Sequence, residues 1–281
     1  MWAATWLALS SMSVSESQTP PVHEGYATVP GARLFYIDSG GSGVAVVLLH
    51  PATGSVRVWD YQIAALTKAG YRVIAYDRRG WGRTVVDPAG PQPGTAADDL
   101  AALLDSLGIQ RVHLIGSAAG GFVAFDFALS FPRRLRSLIV ANSIGGVQDP
   151  EFLEIGKRIR PPQFDALPPE IREVGPSYRA AHPEGTERWV ALEKISRPEG
   201  PRAAAQPLKN RITFSLLESI NLPTLLITGG ADMYAPPPIQ QSFAARIKGA
   251  RTLVVPESGH STYWEQPEVF NRAVIDFIAR H

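Results

Sequence analysis

The chain has no cysteine, which excludes a disulfide framework, a thiolate nucleophile and cysteine-ligated zinc. It has no excess of either charge. Its 27 basic and 26 acidic residues leave a net +1, so there is no basic footprint for nucleic acid and no charged interaction tail. The six histidines lack His-Glu-x-x-His or comparable spacing, so neither a metal nor another cofactor is expected. Long apolar runs are missing as well. The run Trp2 to Leu9 is far shorter than the ~20 residues of a bilayer span. It also lacks the positive flank and longer core of a signal peptide. No membrane partner is expected, and the expected location is cytoplasmic. Residues 1–24 are expected to form a flexible tail. Met12 reads equally well as a start, which would make Met1 to Ser11 an upstream extension.

What is present is a globular composition. The 281 residues are 45% hydrophobic and 19% charged, enough to bury the core of a single α/β domain. Tyr26 to Val29 and Arg33 to Asp38 flank a Pro30-Gly31 turn and read as a hairpin. Val44 to Leu49 is a continuous apolar run of the kind a strand shows when both faces are buried. The signature recurs at Tyr71 to Tyr76, Val112 to Ile115, Leu138 to Ala141, Thr224 to Thr228 and Thr252 to Val255. Helical patterns at Tyr61 to Ala69, Ala96 to Leu107, Phe122 to Phe131, Gln240 to Ile247 and Glu268 to Ala279 fall between and after them. Strands alternating with helices imply an α/β fold, a mostly parallel twisted sheet with helices on both faces.

The alternation fails once, over 145–215, a stretch rich in Pro, Arg and Glu that is expected to be a helical lid insertion. The core is then expected in two pieces, 25–144 and 216–281. Phe152, Phe164, Tyr178, Trp189 and Phe214 are spread along the insertion. Most are expected to anchor it, with pocket lining the alternative for any one of them.

Five small-residue motifs each come after a strand-like run. These are His50-Pro51-Ala52-Thr53-Gly54, Asp77-Arg78-Arg79-Gly80-Trp81-Gly82, Gly116-Ser117-Ala118-Ala119-Gly120-Gly121, Thr228-Gly229-Gly230-Ala231-Asp232 and Glu257-Ser258-Gly259-His260. In this order, from about Tyr26 to the C-terminus, they resemble the α/β-hydrolase fold family, in its serine esterase and lactonase-like form. The resemblance implies a nucleophile at 118, an acid at Asp232, a base at His260 and no cofactor. Its oxyanion donors would be the backbone amides of Ala52 and Ala119, with Thr53 one residue away from the first. Pro51 departs from the family's usual glycine and stiffens that turn. The run Trp264-Glu265-Gln266-Pro267-Glu268 also matches the family's run after its catalytic histidine. Arg79, Gly80 and Gly82 read as a structural brace, and His113 and His182 as structural or exposed.

Position 118 is alanine. Ser117 does not replace it, because the residues two before and two after a nucleophile must be very small. For Ser117 these would be Ile115 and Ala119, whereas for 118 they are Gly116 and Gly120. Asn142 occupies the alternative address of the acid and has no charge to offer, so Asp232 is preferred. An inactivating serine-to-alanine change in otherwise intact machinery is the favoured reading, and a natural non-catalytic ligand binder is the alternative. An absent aspartate nucleophile is weaker, since those families put tryptophan where Ala119 stands. The parent is expected to cleave a medium-sized ester or lactone through an acyl-enzyme, with C–C hydrolysis of ring-fission products as another use of the same groups. Trp189, Tyr234 and Trp264 are candidates to border the substrate.

Overall fold

The computed structural model describes residues 22–90, 94–197 and 206–281. Nine strands are present among them: β1 (His23–Val29), β2 (Ala32–Asp38), β3 (Ala45–Leu49), β4 (Arg72–Tyr76), β5 (Val85–Val86), β6 (Val112–Ser117), β7 (Leu135–Ala141), β8 (Thr224–Gly229) and β9 (Arg251–Val255). The helices before β8 are α1 (Asp60–Lys68), α2 (Ala96–Ser106), α3 (Ala119–Ser130), α4 (Pro150–Ile159), α5 (Pro169–Glu173), α6 (Pro176–Ala181), α7 (Pro183–Ser196) and α8 (Phe214–Leu217). Those after it are α9 (Pro237–Ala244), α10 (Thr262–Glu265) and α11 (Pro267–Ile278). The first strand begins at His23, so His23 and Glu24 belong to the hairpin and not to a tail. The remainder of the expected tail, 1–21, lies outside the described residues.

The sheet runs β1-β2-β4-β3-β6-β7-β8-β9, with β5 added to β2. Every pairing from β4 through β9 along that order is parallel, and the hairpin end is antiparallel. Strand β3 explains the unbroken apolar runs. Val47 and Leu49 join one hydrophobic cluster with Leu100, Leu103 and Leu104 of α2 and Phe125 of α3. Val46 and Leu48 join the other, with Trp59, Ile63 of α1 and Phe277 of α11. Side chains alternate across the strand, but both faces are covered, so alternation shows in direction and not in polarity. Helix α2 starts where its sequence says it should, with the Thr95 hydroxyl accepting from the Asp98 amide at 3.1 Å. Strand β5 has only two residues, too few for periodicity to register.

Between β7 and β8 the described residues form helices and no strand. Helices α4 to α7 each carry proline in the first turn, where its missing N–H costs nothing. Phe152 and Phe214 pack edge-to-face at 5.3 Å and both meet Phe243 of α9, fastening one end of the insertion. Trp189 is buried in the second cluster, and Tyr178 packs against it. Arg79 braces the turn after β4 through a buried bidentate pair with Asp99, 2.7 and 2.8 Å, as expected of a structural arginine.

Candidate active site

Because β3, β6, β7, β8 and β9 are consecutive and parallel, their C-terminal ends share one edge. Such an edge is where α/β sheets bind ligands. The turn from β6 into α3 is the sharpest feature on it. Ala118 sits at φ 50°, ψ −114°, a region that costs a residue with a Cβ of order 1–3 kcal/mol. Two glycines make the turn possible. A Cβ on Gly116 would lie 2.4 Å from the Gly120 carbonyl oxygen, and one on Gly120 would lie 2.1 Å from that of Leu49. The second approach also sets the turn directly against the end of β3. The Ala118 amide donates to Ala141 at 2.9 Å, and its carbonyl accepts from Gly121 N at 2.9 Å and Ser143 Oγ at 2.7 Å. The strained residue is held from both sides.

Asp232 and His260 are brought together from the ends of β8 and β9. Nδ1 of His260 lies 2.9 Å from both Asp232 oxygens. Burial alone would push the Asp232 carboxyl up, but the His260 charge and hydrogen bond, the Ala235 amide and Asn142 together hold it below the usual value. Asp232 is therefore an acceptor, and His260 Nδ1 carries the proton. Burial likewise pulls His260 down, and Asp232, with Glu173 and Glu265 behind it, leaves its affinity for a proton raised. The remaining ring nitrogen, Nε2, has no hydrogen-bond partner among the described residues. The loop carrying His260 can approach because Gly229 has no side chain. A Cβ there would stand 2.1 Å from the Gly259 carbonyl oxygen.

Asn142 has a part that its sequence position did not announce. Its amide nitrogen donates to Asp232 Oδ2 at 3.0 Å and to the Gly259 carbonyl at 3.1 Å, while its oxygen accepts from Thr262 Oγ1 at 2.5 Å. It is buried, and its backbone is left-handed at φ 49°, which asparagine tolerates better than most residues. The residue disqualified as an acid thus orients the acid. Glu265 was also missed. Its carboxylate accepts from the amides of Gly259, Ser261 and Gly175 at 2.9 to 3.2 Å, joining the His260 loop to the insertion.

The turn after β3 abuts the one after β6. His50 Nε2 accepts from the Arg78 amide at 3.1 Å, so Nδ1 is the donor to Pro51 O at 2.7 Å. Burial, seconded by Arg78, pulls His50 well below the normal histidine value and keeps it neutral. The Ala52 carbonyl is pinned by the Trp81 indole at 2.7 Å. The amides of Ala52 and Ala119 have no acceptor among the described residues, and that of Ala119 opens helix α3, where the dipole favours negative charge.

Of the three aromatic candidates, Tyr234 reaches the site. Its ring lies on His260, centroids 4.4 Å apart at 35°, and edge-to-face on Phe164 at 4.9 Å. Trp264 does not reach it, being 1% exposed, packed on Tyr61 at 5.6 Å and donating to the Gly185 carbonyl at 3.3 Å. Trp189 is 3% exposed in the same cluster. Both indoles are occupied in packing the insertion onto the body. Among the described residues no group of three or more His, Asp or Glu is placed to hold a metal, and no helix is long and apolar enough to cross a membrane.

Comparison with known proteins agrees with this fold. The model of the alpha/beta hydrolase family matches residues 46–273. A 2-hydroxy-6-oxononadienedioate/2-hydroxy-6-oxononatrienedioate hydrolase of Paraburkholderia xenovorans is 29% identical, over 88% of this chain and 91% of its own. A putative carbamate hydrolase of Variovorax paradoxus is 30% identical, over 88% and 96% respectively. Among solved structures, a thermophilic esterase from Thermogutta terrifontis superposes with a TM-score of 0.76 at 31% identity, covering 92% of this chain and 98% of that one. The chain therefore belongs to the alpha/beta hydrolase family.

Proposed function

We propose that this edge is the active site of a hydrolase attacking the carbonyl of a medium-sized ester or lactone, and that residue 118 is the nucleophile's address. The observation that carries the reading is the backbone of Ala118. An alanine gains nothing from φ 50°, whereas a serine there would present its hydroxyl at the head of α3. In the parent reaction His260 Nε2 takes the hydroxyl proton, Asp232 stabilises the imidazolium, and the amides of Ala52 and Ala119 receive the oxyanion. The acyl-enzyme then forms and is released by a water activated at the same imidazole. With alanine in place no acyl-enzyme forms. The site binds substrate and is left with roughly the 10³–10⁴-fold over water that binding and an oxyanion hole supply. Residues 145–215 act as the lid, with Phe164 and Tyr234 facing the substrate and the tryptophans holding the lid down.

Cleavage of a C–C bond beside a ketone is a second reading, favoured by the similarity to the dienedioate hydrolase. Esters, carbamates and such ketones differ in what leaves, while the attack on the carbonyl is shared. The test is Ala118→Ser assayed on p-nitrophenyl esters, lactones and a dienoic ring-fission ketone. We expect turnover at least about 10³-fold above the starting chain. Binding without turnover on every substrate would replace the enzyme with a ligand binder.

A further inference from the structure

The turn after β4 carries three arginines, Arg78, Arg79 and Arg83, and two of them have carboxylates. Arg79 pairs with Asp99 at 2.7 Å and Arg83 with Glu24 at 2.6 Å. Arg78 has no ion pair among the described residues. Asp77 beside it is spent on the amides of Val56 and Arg83, each at 2.8 Å. Arg78 is nevertheless only 8% exposed, and its Nε–H is buried without a hydrogen-bond partner among the described residues. A buried charge without a counter-ion is costly, so what surrounds it says what it is for. Burial draws its pKa down to about 10, which still leaves it charged at pH 7.

Those surroundings are the turn after β3. Arg78 Nη2 donates to the His50 carbonyl at 3.0 Å. The same guanidinium lies over the Trp81 ring, 4.7 Å from its centroid, and the Trp81 indole donates to the Ala52 carbonyl at 2.7 Å. Between them the Pro51 carbonyl is held by His50 Nδ1 at 2.7 Å and by the Gly54 amide at 3.2 Å. Three successive carbonyls are thus taken, while the Ala52 amide has no acceptor among the described residues. The peptide that Arg78 grips is the neighbour of the peptide that carries this amide. It also meets the turn after β6, since a Cβ on Gly120 would lie 3.0 Å from the same His50 carbonyl oxygen.

We propose that Arg78 is a positioning residue for the oxyanion, holding the turn after β3 through the His50 carbonyl and setting an uncompensated positive charge beside the Ala52 amide. Its counter-ion is the negative charge that develops on the substrate oxygen during attack. A neutral ground state gains less from that charge than the oxyanion does, so the effect falls on kcat and not on KM. A brace alone would need only a neutral donor to the His50 carbonyl. The inference rests on the reaction proposed for this edge and on Ala52 as an oxyanion donor.

The test sets Arg78→Gln, neutral but still a donor, against Arg78→Lys, which keeps the charge. In the chain as it stands, phenylacetate and the neutral phenylacetamide are titrated while the Ala52 and Ala119 amides are followed by NMR. We expect Arg78→Gln to weaken phenylacetate about tenfold and phenylacetamide at most about twofold, and Arg78→Lys to restore most of the difference. Equal weakening of the two probes, or phenylacetate that moves neither amide in the starting chain, overturns the proposal. In Ala118→Ser, Arg78→Gln should lower kcat on p-nitrophenyl acetate about tenfold with KM little changed. That is less than the roughly 10²–10³ that a direct oxyanion donor supplies. A raised KM with unchanged kcat refutes the proposal too. If Ala118→Ser is inactive on every ester while Arg78→Gln still weakens phenylacetate selectively, the role of Arg78 toward an anion stands and the hydrolase reading fails. Should Arg78→Gln not fold, Arg78→Met carries the same comparisons, being neutral and suited to apolar surroundings.

Discussion

The site has two halves that differ in how completely they are bonded. Around Asp232 and His260 almost every polar atom has a partner: both Asp232 oxygens, both ends of Asn142, the Thr262 hydroxyl and all of Glu265. Around Ala118 the carbonyl is pinned twice, yet the amides of Ala52 and Ala119 have no acceptor among the described residues and the side chain is a methyl. The first half has its charge already compensated, whereas the second is shaped for charge that has yet to arrive. Preorganised donors need no reorganisation when an oxyanion forms. On the proposed reading, the site differs from a working one by a single oxygen atom.

The largest effect should come from breaking the bonded half once the open half has been completed. In Ala118→Ser, Asp232→Asn leaves the shape unchanged and removes the charge that fixes His260 with its proton on Nδ1. The expected loss is about 10⁴ in kcat, read by steady-state kinetics. A loss of only a few-fold would mean that the dyad orients His260 without setting its tautomer.

The open half should be breakable without touching a polar group. Gly120→Ala gains roughly 1 kcal/mol of helix propensity. It also places a methyl 2.1 Å from the Leu49 carbonyl oxygen, which is backbone and cannot swing aside. Overpacking against fixed atoms costs ~3 kcal/mol or more, so the net should be a loss of about 2 kcal/mol in urea unfolding. Equal stability would show that the turn after β3 yields, and that the two turns are less tightly registered than the glycine contacts imply.

This difference also explains what was legible in the sequence. The open half is backbone chemistry, and backbone chemistry writes itself in glycines. Gly116, Gly120 and Gly229 each stand where a Cβ would strike a carbonyl oxygen. The spacing of Gly116 and Gly120 therefore marked the turn at 118, whereas Asp232 was named by the family resemblance and not by any glycine pattern. The strands were legible for a related reason, since burial on both faces makes a run apolar throughout. The bonded half is made of side chains meeting across long separations, and no local pattern encodes that. Asn142 and Thr262 are 120 residues apart. The roles of Trp189 and Trp264 were open in the sequence, because an aromatic residue near a functional motif looks the same whether it lines a pocket or plugs a joint.

The smallest effect separates the halves by the sign of a titration. His50 supports the turn after β3 and is held neutral, its affinity for a proton lowered chiefly by burial. His260 is the opposite, raised by Asp232 against burial. For His50 the unfolded chain binds the proton more readily. Its share of stability is therefore present above the unfolded value near 6.5 and is lost as pH falls. For His260 the folded chain binds more readily, so its share is present below about 6.5 and is lost as pH rises through the raised value. His113, buried against Ser137 and lowered to about 4, sides with His50. Each group contributes a slope of about 1.4 kcal/mol per pH unit inside its own window. Imidazole NMR titration reads the signs directly, with His50 and His113 expected neutral at pH 6 and His260 still carrying its second proton above pH 6.5. A His260 that titrates below 6.5 would mean that Asp232 and Glu173 fail to offset burial, and the bonded half would then be no better prepared for charge than the open one.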